Sequence, residues 1–311
     1  MALPTGTLTT TSDITSLVKT AYDQYVRMAL RSIPVMRALA DVKPVQQAMP
    51  GSSVVFSIYS DLSTATGTLT ESSDVSSVAF GNPSTVTVTL NEYGNAVTTT
   101  KKLNLTSFND VDAALADVIA YNAADSIDVV VANVLTGGTN VIYGGTATGA
   151  SGVTASGTLA VADIREATTQ LRTNKAVPRI GELYAAYIHP RQSADLRAEA
   201  GTGGFQELTK YVDRTPFVAG SVGVIEGAYI VETPRVLSAS NGASPAVTLY
   251  KAVVAGREAL AEAQAADIST VIGPEIDALR RFRTIGWYYF GGFARLREAA
   301  LYRIETASSI S

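Results

Sequence analysis

Apolar positions near the start of the chain recur at three- and four-residue intervals: Ile14, Leu17, Val18, Tyr22, Tyr25 and Val26. That spacing predicts a helix from Ser12 to about Asp41, with Ser12 as its cap. Pro34 should break or kink it, and "VKPVQQAMPG" reads as an extended exit. The period then drops to two. Val54, Phe56 and Ile58 share one face; Val86, Val88 and Leu90 share another, with threonines opposite. Residues 52–102 are therefore expected to form a two-stranded arm. The Ser/Thr/Gly tract between its strands is far longer than a hairpin needs.

Helical spacing returns with Phe108, Val111, Leu115, Val118, Asn122, Ile127, Val131 and Val134. Ser107 with Asp110 resembles a capping box, and Gly137–Gly138 supplies a stop. A helix of about 30 residues would span about 45 Å, long for a globular core. A Gly/Thr/Ala-rich loop follows, then a helix opening near Val161. Residues 182–262 alternate short strands and helices ("LYAAYIH", "PRQSADLRAEA", "GAYIVETP", "VTLYKAVVAG"), a mixed α/β lobe. From Arg280 the chain is strand-like and rich in arginine and aromatic residues. No repeat of fixed period is present.

Composition narrows the function classes. Hydrophobic residues make up 46% of the chain and charged residues 17%, enough apolar material for a substantial core. Cysteine is absent, so neither disulfides nor thiolate metal sites can hold the fold, which fits a reducing cytoplasm. "MALPTGTLTTTSD" lacks the basic start and apolar run of a signal peptide, and no apolar run is expected to cross a membrane. The net charge of −4 argues against a dedicated nucleic-acid binder. Its distribution says more: residues 44–164 hold only Lys101 and Lys102 as basic groups, among many carboxylates. Basic residues flank this acidic block on both sides, so acidic and basic parts could meet between copies.

The search for chemistry yields no catalytic centre. His189 is the only histidine, which rules out a multi-histidine metal site, and its place before Pro190 suits a structural role. "GTGG" at 201–204 and "GSVGVIEG" at 220–227 match neither a P-loop nor a dinucleotide turn. Asp110, Asp112, Asp117, Asp125 and Asp128 lie on a helical pattern that scatters their side chains, so a solvated helix face accounts for them better than a Ca²⁺ loop. Arg280, Arg281, Arg283, Arg295, Arg297 and Arg303 alternate with aromatic residues. They could stack on nucleic acid or bind carboxylates at a protein interface; the acidic arm favours the interface. No cofactor or metal is expected.

The order of elements, with "YIHPRQSADLRAE" and "FVAGSVGVIEGAYIVETPRVL", resembles the major capsid protein of tailed bacteriophages. "VETPRV" and "GWYYFGGF" are similar to the subgroup of the podophage N4 coat protein. The resemblance implies an α+β, HK97-like fold. Its parts would be an N-arm over 1–44, an E-loop over 45–104, a P-domain with spine helix over 105–175, an A-domain over 176–262 and P-domain return strands over 263–311. It implies a structural, non-enzymatic shell protein in the virion, assembled in the host bacterial cytoplasm as hexamers and pentamers around double-stranded DNA. An encapsulin-like shell enclosing cargo is the alternative. Implied partners are further copies, a portal, a separate scaffolding protein, since only Met1–Thr11 precede the first predicted helix, and decoration proteins. DNA contact would be non-specific and no membrane is involved. Some relatives crosslink through an E-loop lysine; residues 44–100 contain none, so the contacts should be non-covalent. The expected contacts pair Asp61, Glu71, Asp74 and Glu92 with Lys19, Arg27 and Arg31 or with Arg280, Arg281 and Arg283.

Overall fold

The structure is a computed structural model. It describes residues 33–44, 51–59, 61–75, 77–106, 111–200, 205, 223–243, 246–275 and 277–310. The predicted N-terminal helix before Ile33, the Ser107–Asp110 capping box and most of the two glycine-rich stretches lie outside these.

After Pro34 the helical reading fails. A 3-10 turn at Met36–Leu39 leads into strand β1 (Ala40–Pro44), which pairs in parallel with a strand more than two hundred residues later. Next come β2 (Ser53–Ile58) and β3 (Ser84–Thr89), antiparallel, with Val54 opposite Val88 and Phe56 opposite Val86. The two apolar sets thus line one face of a hairpin. The expected arm stops there. Residues Asn91–Thr100 form a separate strand, β4, and then a short helix α1 (Lys101–Thr106).

Helix α2 (Val111–Thr136) runs 26 residues, about 39 Å, and ends just before the two glycines as expected. By length and composition its Leu115–Thr136 stretch would also suit a membrane. Its apolar side instead buries Ile119, Ala123, Ile127, Val131 and Leu135 within the protein. Val118, placed on the buried stripe by spacing alone, is exposed. The lobe that follows contains β5 (Val141–Tyr143), α3 (Val161–Thr173), β6 (Tyr184–Ile188), α4 (Pro190–Ala198), β7 (Val224–Ile225), β8 (Ala228–Glu232), β9 (Ser238–Ala239) and β10 (Leu249–Ala255). The chain closes with β11 (Leu260–Ile272), β12 (Phe282–Arg295) and β13 (Leu301–Thr306).

Two sheets enclose α2. A four-stranded sheet has the order β1-β11-β12-β4, and a larger mixed sheet runs β5-β13-β10-β6-β8-β7 with β9 beside β10. Leu260, Ile285, Trp287 and Tyr289 from the first, and Ala185, Tyr187, Val253 and Leu301 from the second, meet the helix in one core. The far face of the larger sheet packs Tyr184, Ala186, Ile188 and Val254 under α3 through Val161, Ile164 and Leu171. Both faces of β6 and β10 are thus buried, which is why "YAAYI" and "AVVA" read as unbroken apolar runs.

Candidate assembly interface

The arm divides into a rooted part and an extended part. Val88 and Leu90 are buried on Ala263, with Val54, Phe56, Phe290 and Ala294 around them. At Gly292 a Cβ would stand 2.0 Å from the Thr89 carbonyl oxygen, so only glycine lets β3 lie this close over β12. Beyond Ile58 this packing ends. Among the described residues of 61–80, all are exposed, including Leu62, Leu69, Val75, Val78 and Phe80. Tyr59 and Phe80 touch each other, centroids 5.5 Å apart, at the neck of the loop. So many exposed apolar side chains on one projecting segment are a surface awaiting cover.

The predicted acidic contacts do not all belong to this segment. Asp61, Glu71 and Asp74 are exposed on it. Glu92 lies on β4 in the body, beside Tyr288, whose phenol is pushed up by burial and by the Glu92 carboxylate. Of the predicted basic contacts, Lys19, Arg27 and Arg31 lie outside the described residues. Arg280 is exposed in the β11–β12 turn; Arg281 pairs with Asp277 at 2.6 Å; Arg283 sits on β12 opposite Thr99. Lys101 joins them, its N–H donating to the Arg281 carbonyl at 2.8 Å, with Lys102 next to it.

The remaining arginines, Arg295, Arg297 and Arg303, all make bonds within the body. Arg295 donates to the Val134 carbonyl at 2.9 Å and pairs with Glu298 at 2.9 Å. Arg303 donates to the carbonyls of Thr136 and Gly138. Both place positive charge at the carboxyl end of α2, where unpaired carbonyls and the helix dipole favour it. Arg297 pairs with Glu258 at 2.8 Å.

Two buried carboxylates that sequence reasoning missed fix the segment at 35–37. Asp128, expected on a solvated face, is 1% exposed. It accepts from the Met36 amide at 2.6 Å and the Arg37 amide at 3.2 Å, and pairs with Arg235 at 2.8 Å. Burial pushes its pKa up, partly offset by those amides. Glu262, fully buried on β11, takes Arg37 through two bonds of 3.1 and 2.6 Å and the Tyr289 hydroxyl at 2.9 Å. Tyr289 is held neutral by burial and by Glu262. The only signal in the sequence was the placement of an acid within an otherwise apolar stretch, "LAEAQA".

His189 has the structural part expected of it. It caps α4, its Nδ1 accepting from the Arg191 amide at 3.2 Å, and stacks on Tyr250 at 4.4 Å. Burial, with Arg191 nearby, keeps its pKa low. Ser193 bonds Glu232 rather than the histidine. Among the described residues no cluster of three or more His, Asp or Glu could hold a metal. The geometry is that of a body with a projecting arm.

Comparison with known proteins agrees. No curated protein matches the sequence. The structure is similar to the capsid of Ralstonia phage GP4 (TM-score 0.76, 16% identity, 98% of this chain and 99% of that chain covered). It is similar to the capsid of cyanophage P-SCSP1u (TM-score 0.74, 18% identity, 99% and 97% covered). It also resembles the capsid of Helicobacter pylori bacteriophage KHP30 (TM-score 0.70, 14% identity, 98% and 100% covered). At these identities the likeness establishes the fold, HK97-like. The family model for phage capsid protein matches residues 8–310. With nearly its whole length matched, the chain belongs to the phage capsid protein family, as a structural major capsid protein of the virion.

Proposed function

We propose that copies of this chain associate as hexamers and pentamers into an icosahedral shell around double-stranded DNA, held together without covalent crosslinks. The observation that carries this reading is the arm. A two-stranded hairpin alone is marginal in water, and here only its root is buried on its own body. Laid over a neighbouring copy, residues 59–83 would cover their apolar side chains and bring Asp61, Glu71 and Asp74 to basic partners. Each exposed ion pair contributes at most about 1 kcal/mol, so shell strength comes from many weak contacts made at once. The absence of lysine from 44–100 supports the non-covalent reading.

Assembly would take place in the host cytoplasm, with a separate scaffolding protein, a portal and decoration proteins as further partners. Contact with packaged DNA would be non-specific, limited by the net charge of −4. Nothing in the family or fold comparisons favours a cargo-enclosing encapsulin. The test is deletion of residues 62–83. We expect a folded body that no longer closes shells, seen by negative-stain microscopy. Shells of normal yield and stability from the deletion variant would overturn the reading.

A further inference from the structure

Three turns from distant parts of the chain close around one recess of about 360 Å³. The end of α3 supplies Asn174, Lys175 and Val177, the β10–β11 turn supplies Arg257 and Glu258, and the β12–β13 turn supplies Arg297. Backbone bonds join the turns to one another. The Arg257 amide donates to the Val177 carbonyl at 2.8 Å, the Gly256 amide to the Ala300 carbonyl at 2.9 Å, and the Arg297 amide to the Glu258 carbonyl at 3.1 Å. The walls are therefore fixed before anything binds. Their charge is one-sided. Lys175, Arg257 and Arg297 stand against a single lining carboxylate, Glu258, which pairs with Arg297 at 2.8 Å. Asp41 and Glu298, close by in the fold, are taken by Arg179 and Arg295. Among the described residues no carboxylate pairs with Lys175 or Arg257.

Two further features set this recess apart. Lys175 (φ 55°) and Glu258 (φ 57°) both hold the left-handed backbone that favours glycine, two of the five such non-glycine positions among the described residues. Strain of this kind gathers at binding and switch sites. The carboxyl end of a helix by itself favours a cation, which accounts for Lys175. It does not account for Arg257 and Arg297, which come from other elements, and the last α3 carbonyls already accept from the Asn174, Lys175 and Ala176 amides. We infer that the recess binds a phosphate dianion, either inorganic phosphate or the monoester end of a nucleotide. The lining carries three positive groups and one negative, a net charge of +2. A phosphate monoester, at about −1.5 to −2 near pH 7, neutralises that; a carboxylate or a backbone phosphodiester, with one charge each, does not. Its three free oxygens also suit cationic donors arriving from three directions. The volume lies at the small end of ligand pockets. Bound there, the anion would tie the helical lobe to the four-stranded sheet, since the walls belong to α3 on one side and to the ends of β11 and β12 on the other. The inference goes beyond the shell reading and applies to the single chain.

The experiment titrates the unassembled full chain with sodium phosphate, against sodium chloride at matched ionic strength, and reads the urea unfolding midpoint. Phosphate should raise the midpoint with a dissociation constant on the order of 1 mM, the strength of three exposed ion pairs. Lys175→Gly removes one cation but puts glycine where a helix end in the left-handed region favours it. It should fold at least as well as the wild type without phosphate, yet bind phosphate about fivefold more weakly. Lys175→Gly/Arg257→Met should weaken binding by at least about tenfold. A midpoint that phosphate moves no further than chloride, or variants that keep the whole phosphate response, overturn the inference. Adenosine monophosphate and a duplex DNA without terminal phosphates, added in separate titrations, distinguish the sources. A nucleotide that binds more tightly than phosphate and loses its effect in the double variant supports the monoester end. Phosphate binding without nucleotide binding supports the free anion. Duplex DNA held through Lys175 and Arg257 more tightly than phosphate would make the recess a nucleic-acid contact and overturn the proposal.

Discussion

Replacing Arg37 by Met tests how the body holds the segment at 35–37. Glu262 is completely buried and has three donated bonds, two from Arg37 and one from Tyr289. Removing the guanidinium leaves a charged carboxylate in the core with a single phenol donor. Stripping one partner from a buried pair costs about 3–5 kcal/mol. Because the Arg37 side chain is 32% exposed, water can reach part of the vacated site. The low end of that range, about 3 kcal/mol, is therefore expected. Glu262→Gln keeps an oxygen for Tyr289 and for one guanidinium N–H, and leaves Arg37 partly solvated, so it should cost about 1–2 kcal/mol. Urea unfolding of the unassembled protein can be followed by Trp287, the only tryptophan, which is buried on β12 and donates to Asn122 at 2.9 Å. A Glu262→Gln cost equal to or above that of Arg37→Met would refute the reasoning, because it would mean that the charge itself, not its desolvation, sets the energy.

Two further outcomes are expected. Asp163 titrates near pH 6, raised from 3.8 by burial and by Glu166 and Glu199, against the bond from the Ala160 amide. Its ionised form is the costly one when folded, so stability should rise as pH falls from about 7 to 4, by at most about 3 kcal/mol. Asp163→Asn should flatten that part of the stability–pH curve; an unchanged curve would show that Asp163 is not its source. Asp128→Asn replaces an acceptor of two backbone amides and an arginine with a group that is half donor, and should cost about 2–4 kcal/mol. Hydrogen exchange at Met36 and Arg37 should accelerate most, and protection there equal to the wild type would count against Asp128 as the clamp.

Much of the fold was legible because its periods are local. The β2–β3 hairpin, the end of α2 at the glycines, the start of α3 and the succession of β6, α4, β8 and β10 all follow from spacing, caps and turn residues. What was not legible depends on partners distant in sequence. Residues 36–41 have a helix-like composition, yet β1 forms because Leu260–Gln264 offers a parallel partner. Asn91–Thr100 continues the alternation of the arm, and only β12 decides that it belongs to the body. Asp128 and Glu262 look like surface acids until Arg235, Arg37 and Tyr289 converge on them. Of the proposed contacts, the acidic segment was readable from its composition. Lys101 and Lys102 were seen only as exceptions in an acidic block, since their closeness to Arg281 is a fact of strand pairing.

The division of the arginines bears on the geometry of assembly. Arg295 and Arg303 bond carbonyls at the end of α2 and Arg297 pairs with Glu258 at the surface, so in the proposed shell the basic residues near the β11–β12 turn would form the cationic face opposite an acidic arm. Donor and acceptor are then different surfaces of one molecule, and a contact between them is heterologous. Such contacts propagate head to tail and close into a ring only where the rotation between neighbours divides a full turn. A shell with both five- and six-membered rings must accept two such rotations from the same pair of surfaces. The arm would suit that demand: its described residues between 61 and 80 are exposed while Val88 and Leu90 at the root are buried, so its reach could change with the rotation while the root stays packed.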